Sequence, residues 1–147
     1  MAKISLGTVQ LGMNYGISNQ LGKTKESNAK EILQYALNQG INVLDTAPSY
    51  GNSEDIIGGF IHNHPCDECW RIITKTPNFK SSVISDKQID KLFESFELSQ
   101  NKLGKKNIYG LLVHECDNIF LPGGKKILDK MNQLKDDGFI KKIGVSV

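Results

Sequence analysis

The stretch "INVLDTAPSYGNSEDIIGGFI", residues 41–61, contains one complete strand, loop and helix, and the rest of the chain repeats its plan. Ile41 to Thr46 reads as a buried strand in which Val43 and Leu44 run straight into a carboxylate at Asp45. Pro48, Tyr50 and Gly51 then form a loop, and a helix starts near Asn52 or Ser53 and runs to about Ile61. Glu54 and Asp55 fall in its first turn, where negative charge favours the helix dipole. A carboxylate at the end of a buried strand and a phenol in the loop beyond it both call for a chemical reason.

Working outward, the same alternation recurs on both sides. Ile4 to Leu11 is short, apolar and closed by Gly12, so a strand is expected, followed by a long polar loop, "MNYGISNQLGKT", at 13–24. From Glu26 to Gln39 the apolar residues Ala29, Ile32, Leu33, Ala36 and Leu37 fall on one helix face, with Gly40 as the stop. Arg71 to Lys75 is a third strand, and Asp86 to Leu103 a helix through Ile89, Leu92, Phe93 and Phe96. Ile108 to His114 is a fourth strand. A last helix uses Ile127, Leu128, Met131 and Leu134, ends near Gly138, and leads into "IKKIGVSV" at 140–147, a fifth strand.

Strands such as "GLLV" at 110–113 are apolar without a break, which marks burial on both faces and hence a parallel sheet covered by helices. An eight-unit barrel of this kind takes about 250 residues, and the chain has 147. The expected fold is therefore α/β, a (β/α)8 TIM-barrel type that is incomplete, with strands 1–5 and helices 1–4. Residues 1–147 are expected to form the N-terminal part of a single barrel domain, with open edges at the first and fifth strands.

Composition narrows the function class. The chain is 39% hydrophobic and 23% charged, as in an ordinary soluble domain, and 18 Lys and Arg face 16 Asp and Glu. With a net charge of +2 and scattered basic residues, nucleic acid is not the expected partner. No apolar run approaches the roughly 20 residues needed to span a bilayer, and no secretory pattern follows Met1, so a cytoplasmic protein is expected. Three cysteines without framework spacing fit a reducing compartment. The segment "HNHPCDECW" at 62–70 offers His62, His64, Cys66 and Cys69, but it lacks a second well-spaced pair. It reads as a polar connection with no metal.

Polar residues close the apolar strands at one end only: Asp45 after "NVL", Lys75 after "RIIT" and His114 after "LLV". Parallel strands lie ~4.8 Å apart, so these side chains can meet on one rim, with Tyr50 in the loop beside them. Taken singly, each has a plain structural reading. Asp45 would cap a turn, Tyr50 would pack over the rim, Lys75 would be a solvated strand end, and His114 a core histidine. Their co-location points to a site.

Five segments carry a family resemblance: "LGTVQLG" at 6–12, "LDTAPSYGNSE" at 44–54, "TKTP" at 74–77, "LLVHE" at 111–115 and "IGVSV" at 143–147. Together they resemble the aldo-keto reductases, and most of all the bacterial members associated with sugar and surface-polysaccharide synthesis, which share the "GTVQLGxxYGI" opening. The resemblance implies a barrel enzyme that reduces aldehydes or ketones with NADPH, on a small-molecule carbonyl substrate that includes sugars. It also implies catalytic roles for Asp45, Tyr50, Lys75 and His114. Gly7, Thr8, Val9 and Ser146 match positions that contact the nicotinamide end of the cofactor, while Val147 stands where the family has an asparagine. The family's grip on the adenosine phosphate lies in strands seven and eight, which this chain does not include. The chain by itself is therefore expected to show little or no turnover. The alternative is a non-catalytic partial barrel that self-associates or binds a partner through its open edges.

The residue chemistry agrees with those implied roles. Reduction of a carbonyl builds negative charge on oxygen, so a proton donor must stand beside it. Tyr50 can be that donor if a nearby ammonium, Lys75, stabilises phenolate. Lys75 in turn needs a counter-charge in a dry site, which Asp45 supplies. A neutral His114 can hydrogen-bond the carbonyl oxygen and orient it.

Overall fold

Strand and helix alternate as the hydrophobic pattern requires. The computed structural model describes residues 4–64 and 69–147. Its strands are β1 (Leu6–Gly7), β2 (Val43–Asp45), β3 (Arg71–Lys75), β4 (Ile108–Val113) and β5 (Ile140–Val145). They form one sheet in sequence order, each parallel to the next. The helices are α1 (Val9–Gly12), α2 (Glu26–Asn38), α3 (Ser53–His62), α4 (Asp86–Leu103) and α5 (Lys125–Asp136), with a 3-10 turn at Cys116–Ile119. This is the open, partial barrel expected from the sequence.

Register assigns the two faces of the sheet. Leu44 pairs with Ile72, and Thr74 with Leu111. All four are buried, and they face the helices. Asp45 pairs with Ile73, and Lys75 with Leu112, on the opposite, concave face. Ile73 and Leu112 are only half-buried. The core therefore sits between sheet and helices, where Leu33, Ile57, Leu92, Leu111, Ile127 and Met131 are almost wholly enclosed. Truncating one of these to alanine costs about 2–5 kcal/mol.

Local signals set the helix limits. In α2, Ala29, Leu33 and Ala36 are buried, while Ile32, expected on the same face, sits at its margin and is 40% exposed. At the start of α4, the Ser85 amide donates to Gln88 Oε1 at 3.1 Å, and Gly104 closes the helix in the left-handed region.

The first strand is shorter than expected. Only Leu6 and Gly7 pair with β2, and Val9–Gly12 coils into one helical turn. Between the two, the Thr8 amide makes the last ladder-type bond, to the Asp45 carbonyl at 3.0 Å, and the Thr8 hydroxyl donates to the same oxygen at 2.9 Å. At the far edge β5 stops at Val145, so Ser146 and Val147 lie beyond the strand.

Candidate active site

Three of the four candidate catalytic residues stand at or just beyond a strand end. Asp45 closes β2, Lys75 closes β3, and His114 follows β4. Tyr50 reaches them from the loop between β2 and α3. Lys75 is only 4% exposed, and its Nζ forms an ion pair with Asp45 Oδ1 and donates to the Thr46 carbonyl at 3.0 Å. The same Nζ lies 4.8 Å from the centre of the Tyr50 ring, a cation–π contact. Tyr50 meets His114 edge to face, with ring centres 6.2 Å apart. The His114 amide donates to Thr76 Oγ1 at 3.1 Å, and its Nδ1 is buried without a hydrogen-bond partner among the described residues. The four residues thus converge, as the strand-end pattern anticipates.

The Tyr50 loop is held by close backbone contact. A Cβ on Gly12 would lie 1.7 Å from the Tyr50 carbonyl oxygen, and one on Gly51 would lie 2.3 Å from the Gly12 carbonyl oxygen. Gly51 also has φ +58°. Both positions therefore need glycine. Beneath them, the Ser53 hydroxyl donates to the Thr8 carbonyl at 3.0 Å and lies 2.9 Å from Thr8 Oγ1. Thr46 Oγ1 joins this buried cluster at 3.2 Å from Ser53 Oγ.

Glu54 stands in the first turn of α3, as expected, and there it is a buried carboxyl, 2% exposed. Thr74 Oγ1 donates to its Oε1 at 2.7 Å and Ser99 Oγ to its Oε2 at 3.1 Å. Burial pushes its pKa above the ordinary value, and those two hydrogen bonds partly offset the shift. The signal was present in the sequence, because Glu54, Ile57 and Ile61 recur at the spacing of one helix face, and that face is buried.

The cofactor-contact candidates spread along the rim. Gly7 is exposed at the end of β1, opposite Asp45, with open space where a side chain would stand. Thr8 is fully buried, with its hydroxyl turned into the fold. Val9 is half-buried. Ser146 hydrogen-bonds through its amide to the Val113 carbonyl at 2.9 Å, which sets it beside the His114 end of β4. Gly7 and Ser146 thus lie beside the Asp45 and His114 strand ends of the same rim.

Among the described residues no group of His, Cys, Asp and Glu could hold a metal ion. Cys66 lies outside the described residues, and Cys69 is disulfide-bonded. Desolvation, with the carboxylates of Asp117 and Glu115, holds the Cys116 thiol above its usual pKa, which disfavours a nucleophile. A cleft at the opposite end of the strands, lined by Trp70, Arg71, Ile108, Tyr109 and Lys141, contains none of the tetrad. No helix among the described residues is long and apolar enough to cross a membrane.

The sequence profile of the aldo/keto reductase family matches residues 3–147. The chain belongs to that family. It is 32% identical over 149 residues to Aldo-keto reductase YhdN of Bacillus subtilis, a match that covers 99% of this chain and 43% of the relative. A solved Pseudomonas aeruginosa chain assigned to the same family superposes with a TM-score of 0.76 at 29% identity, covering 97% of this chain and 54% of the other. An aldo/keto reductase from Klebsiella pneumoniae, solved in complex with NADP and acetate, shares the fold at a TM-score of 0.68 and 18% identity, over 96% of this chain and 44% of that one. The chain spans less than half the length of the curated relatives it matches.

Proposed function

We propose that this chain carries the proton-donating half of a reductase site, in a protein that converts an aldehyde or ketone to an alcohol with NADPH. The observation that carries this reading is the buried Lys75 ammonium, ion-paired to Asp45 and set 4.8 Å from the centre of the Tyr50 ring. A cation held there stabilises negative charge on the phenol oxygen, so Tyr50 can release a proton to the substrate oxygen as charge develops on it. Asp45 and the Thr46 carbonyl keep Lys75 charged and aimed. His114, edge-on to Tyr50, orients the carbonyl.

Gly7 and Ser146 would hold the nicotinamide end of NADPH, and when bound the cofactor supplies the hydride. The NADP-bound Klebsiella relative supports this choice. Val147, in place of the family's asparagine, offers no side-chain hydrogen bond to a carboxamide. The substrate is a small carbonyl compound, and aldose sugars are the first class to test, given the resemblance of the opening segment to sugar-linked members.

The test is NADPH consumption with nitrobenzaldehyde and with an aldose by the protein expressed from its intact gene. Tyr50→Phe is expected to abolish turnover while NADPH binding stays nearly unchanged. Undiminished turnover in that variant would remove Tyr50 as the acid. The 147 residues alone are expected to turn over little or not at all, and measurable reduction by them would overturn that part of the reading.

A further inference from the structure

We propose that Glu54 is a positioning residue for the contact between Tyr50 and Lys75, locking the helix that follows the Tyr50 loop onto the strand that delivers Lys75. The inference rests on the reading of Tyr50 as proton donor assisted by Lys75.

The two side chains come from different elements, so their separation depends on how α3 sits against β3. Among the described residues, the side-chain hydrogen bond that joins those elements is the one from Thr74 to Glu54, at 2.7 Å. Thr74 immediately precedes Lys75. Successive side chains of a strand point to opposite faces, so fixing Thr74 toward the helices fixes the roll of β3 that sends Lys75 to the rim. The second oxygen of Glu54 takes the Ser99 hydroxyl, which ties the same carboxyl to α4.

The Tyr50 side of the contact is held from the same helical turn. The Ser53 amide donates to the Tyr50 carbonyl at 3.1 Å, while the Ser53 hydroxyl grips Thr8 at the end of β1. Ser53 and Glu54 thus bind the first turn of α3 in two directions, toward β1 and β2 on one side and toward β3 and α4 on the other.

Energetics argue against a purely stabilising role. A buried carboxyl with two neutral hydroxyl donors is a costly way to fill a core position, and an apolar side chain of similar volume packs there more cheaply. What leucine cannot do is accept two hydrogen bonds along fixed directions and so set three elements in register.

The test reads the Tyr50 ring by nuclear magnetic resonance in this chain carrying isotope-labelled tyrosine. The signal is assigned by its loss in Tyr50→Phe, and Lys75→Met defines the shift that follows loss of the cation contact. Glu54→Leu and Thr74→Val are each expected to move the Tyr50 signal toward the Lys75→Met position. The double variant should move it no further than the singles. Thr74→Ser, which keeps the hydroxyl, should leave it in place. In the protein from the intact gene the same losses should lower kcat roughly tenfold or more, with KM little changed. Folded Glu54→Leu and Thr74→Val proteins with lowered thermal stability but a wild-type Tyr50 signal would overturn the proposal and leave Glu54 a structural residue. A Tyr50 signal indifferent to Lys75→Met would instead remove the underlying reading of the site, and the proposal with it.

Discussion

At the scale of single residues, the site turns on an asymmetric ion pair. Lys75 is 4% exposed and Asp45 33%, so the two partners do not lose equally when the other is removed. Asp45→Asn strands an enclosed ammonium whose remaining acceptor is the Thr46 carbonyl. Lys75→Met leaves a carboxylate that water can reach. Asp45→Asn is therefore expected to lower stability more than Lys75→Met. The loss is about 1–3 kcal/mol, below the 3–5 kcal/mol of a fully buried pair because one partner stays hydrated. Urea unfolding of the two variants checks the order, and a larger loss in Lys75→Met would show that the aliphatic stem, not the charge, dominates. The four rim residues were legible in the sequence because Asp45, Lys75 and His114 all close apolar strands at the same end and Tyr50 follows in the adjoining loop, so that their co-location, not any one of them, marked a site. Glu54 was not read as buried, because a carboxylate in a helix's first turn has a common surface role, although it shares a helix face with Ile57 and Ile61.

At the scale of elements, the helices α2, α3, α4 and α5 and the strands β2 to β4 follow the hydrophobic periodicity closely. The miss at β1 lies at both ends: Ile4 to Leu11 is apolar enough for a strand, but only Leu6 and Gly7 pair with β2, and after Thr8 binds the Asp45 carbonyl with amide and hydroxyl the chain coils into the helical turn Val9–Gly12. Local pattern cannot show a bond to a residue 37 positions away. The pair Gly58-Gly59 in α3 makes the same point as a prediction. A Cβ on Gly58 would lie 2.0 Å from the Lys102 carbonyl oxygen of α4, whereas one on Gly59 would meet nothing within 4 Å. Gly59→Ala should raise stability by up to about 1 kcal/mol through helix propensity. Gly58→Ala gains the same propensity but must push α3 away from α4, so a net loss on the order of 1–3 kcal/mol is expected. Denaturant midpoints should move in opposite directions, and a parallel shift would mean that the two helices are not in close contact at Gly58.

At the scale of the whole molecule, strand order and parallel pairing were legible because strict alternation admits few topologies, and the sheet runs in sequence order as expected. What no periodicity could show is that one buried acid links the stability of the fold to pH. Burial raises the pKa of Glu54 above its ordinary value of 4.5, against the lowering effects of Thr74, Ser99 and Lys102, while Asp55 adds to the rise. The unfolded chain therefore releases this proton at lower pH than the folded one. The contribution of the protonated group to stability is fully present below the unfolded value and declines as pH climbs from 4.5 through the folded value, above which the deprotonated acid is carried at a cost. Glu54→Gln removes this titration while keeping a side chain of similar shape. The difference in melting temperature between Glu54→Gln and the parent chain should thus move in favour of the glutamine variant as pH rises through that window, then level off. Other groups titrate identically in both proteins and cancel in the difference. A difference that stays flat across the window would mean that the folded and unfolded chains bind the Glu54 proton equally, and that water reaches the carboxyl despite its burial.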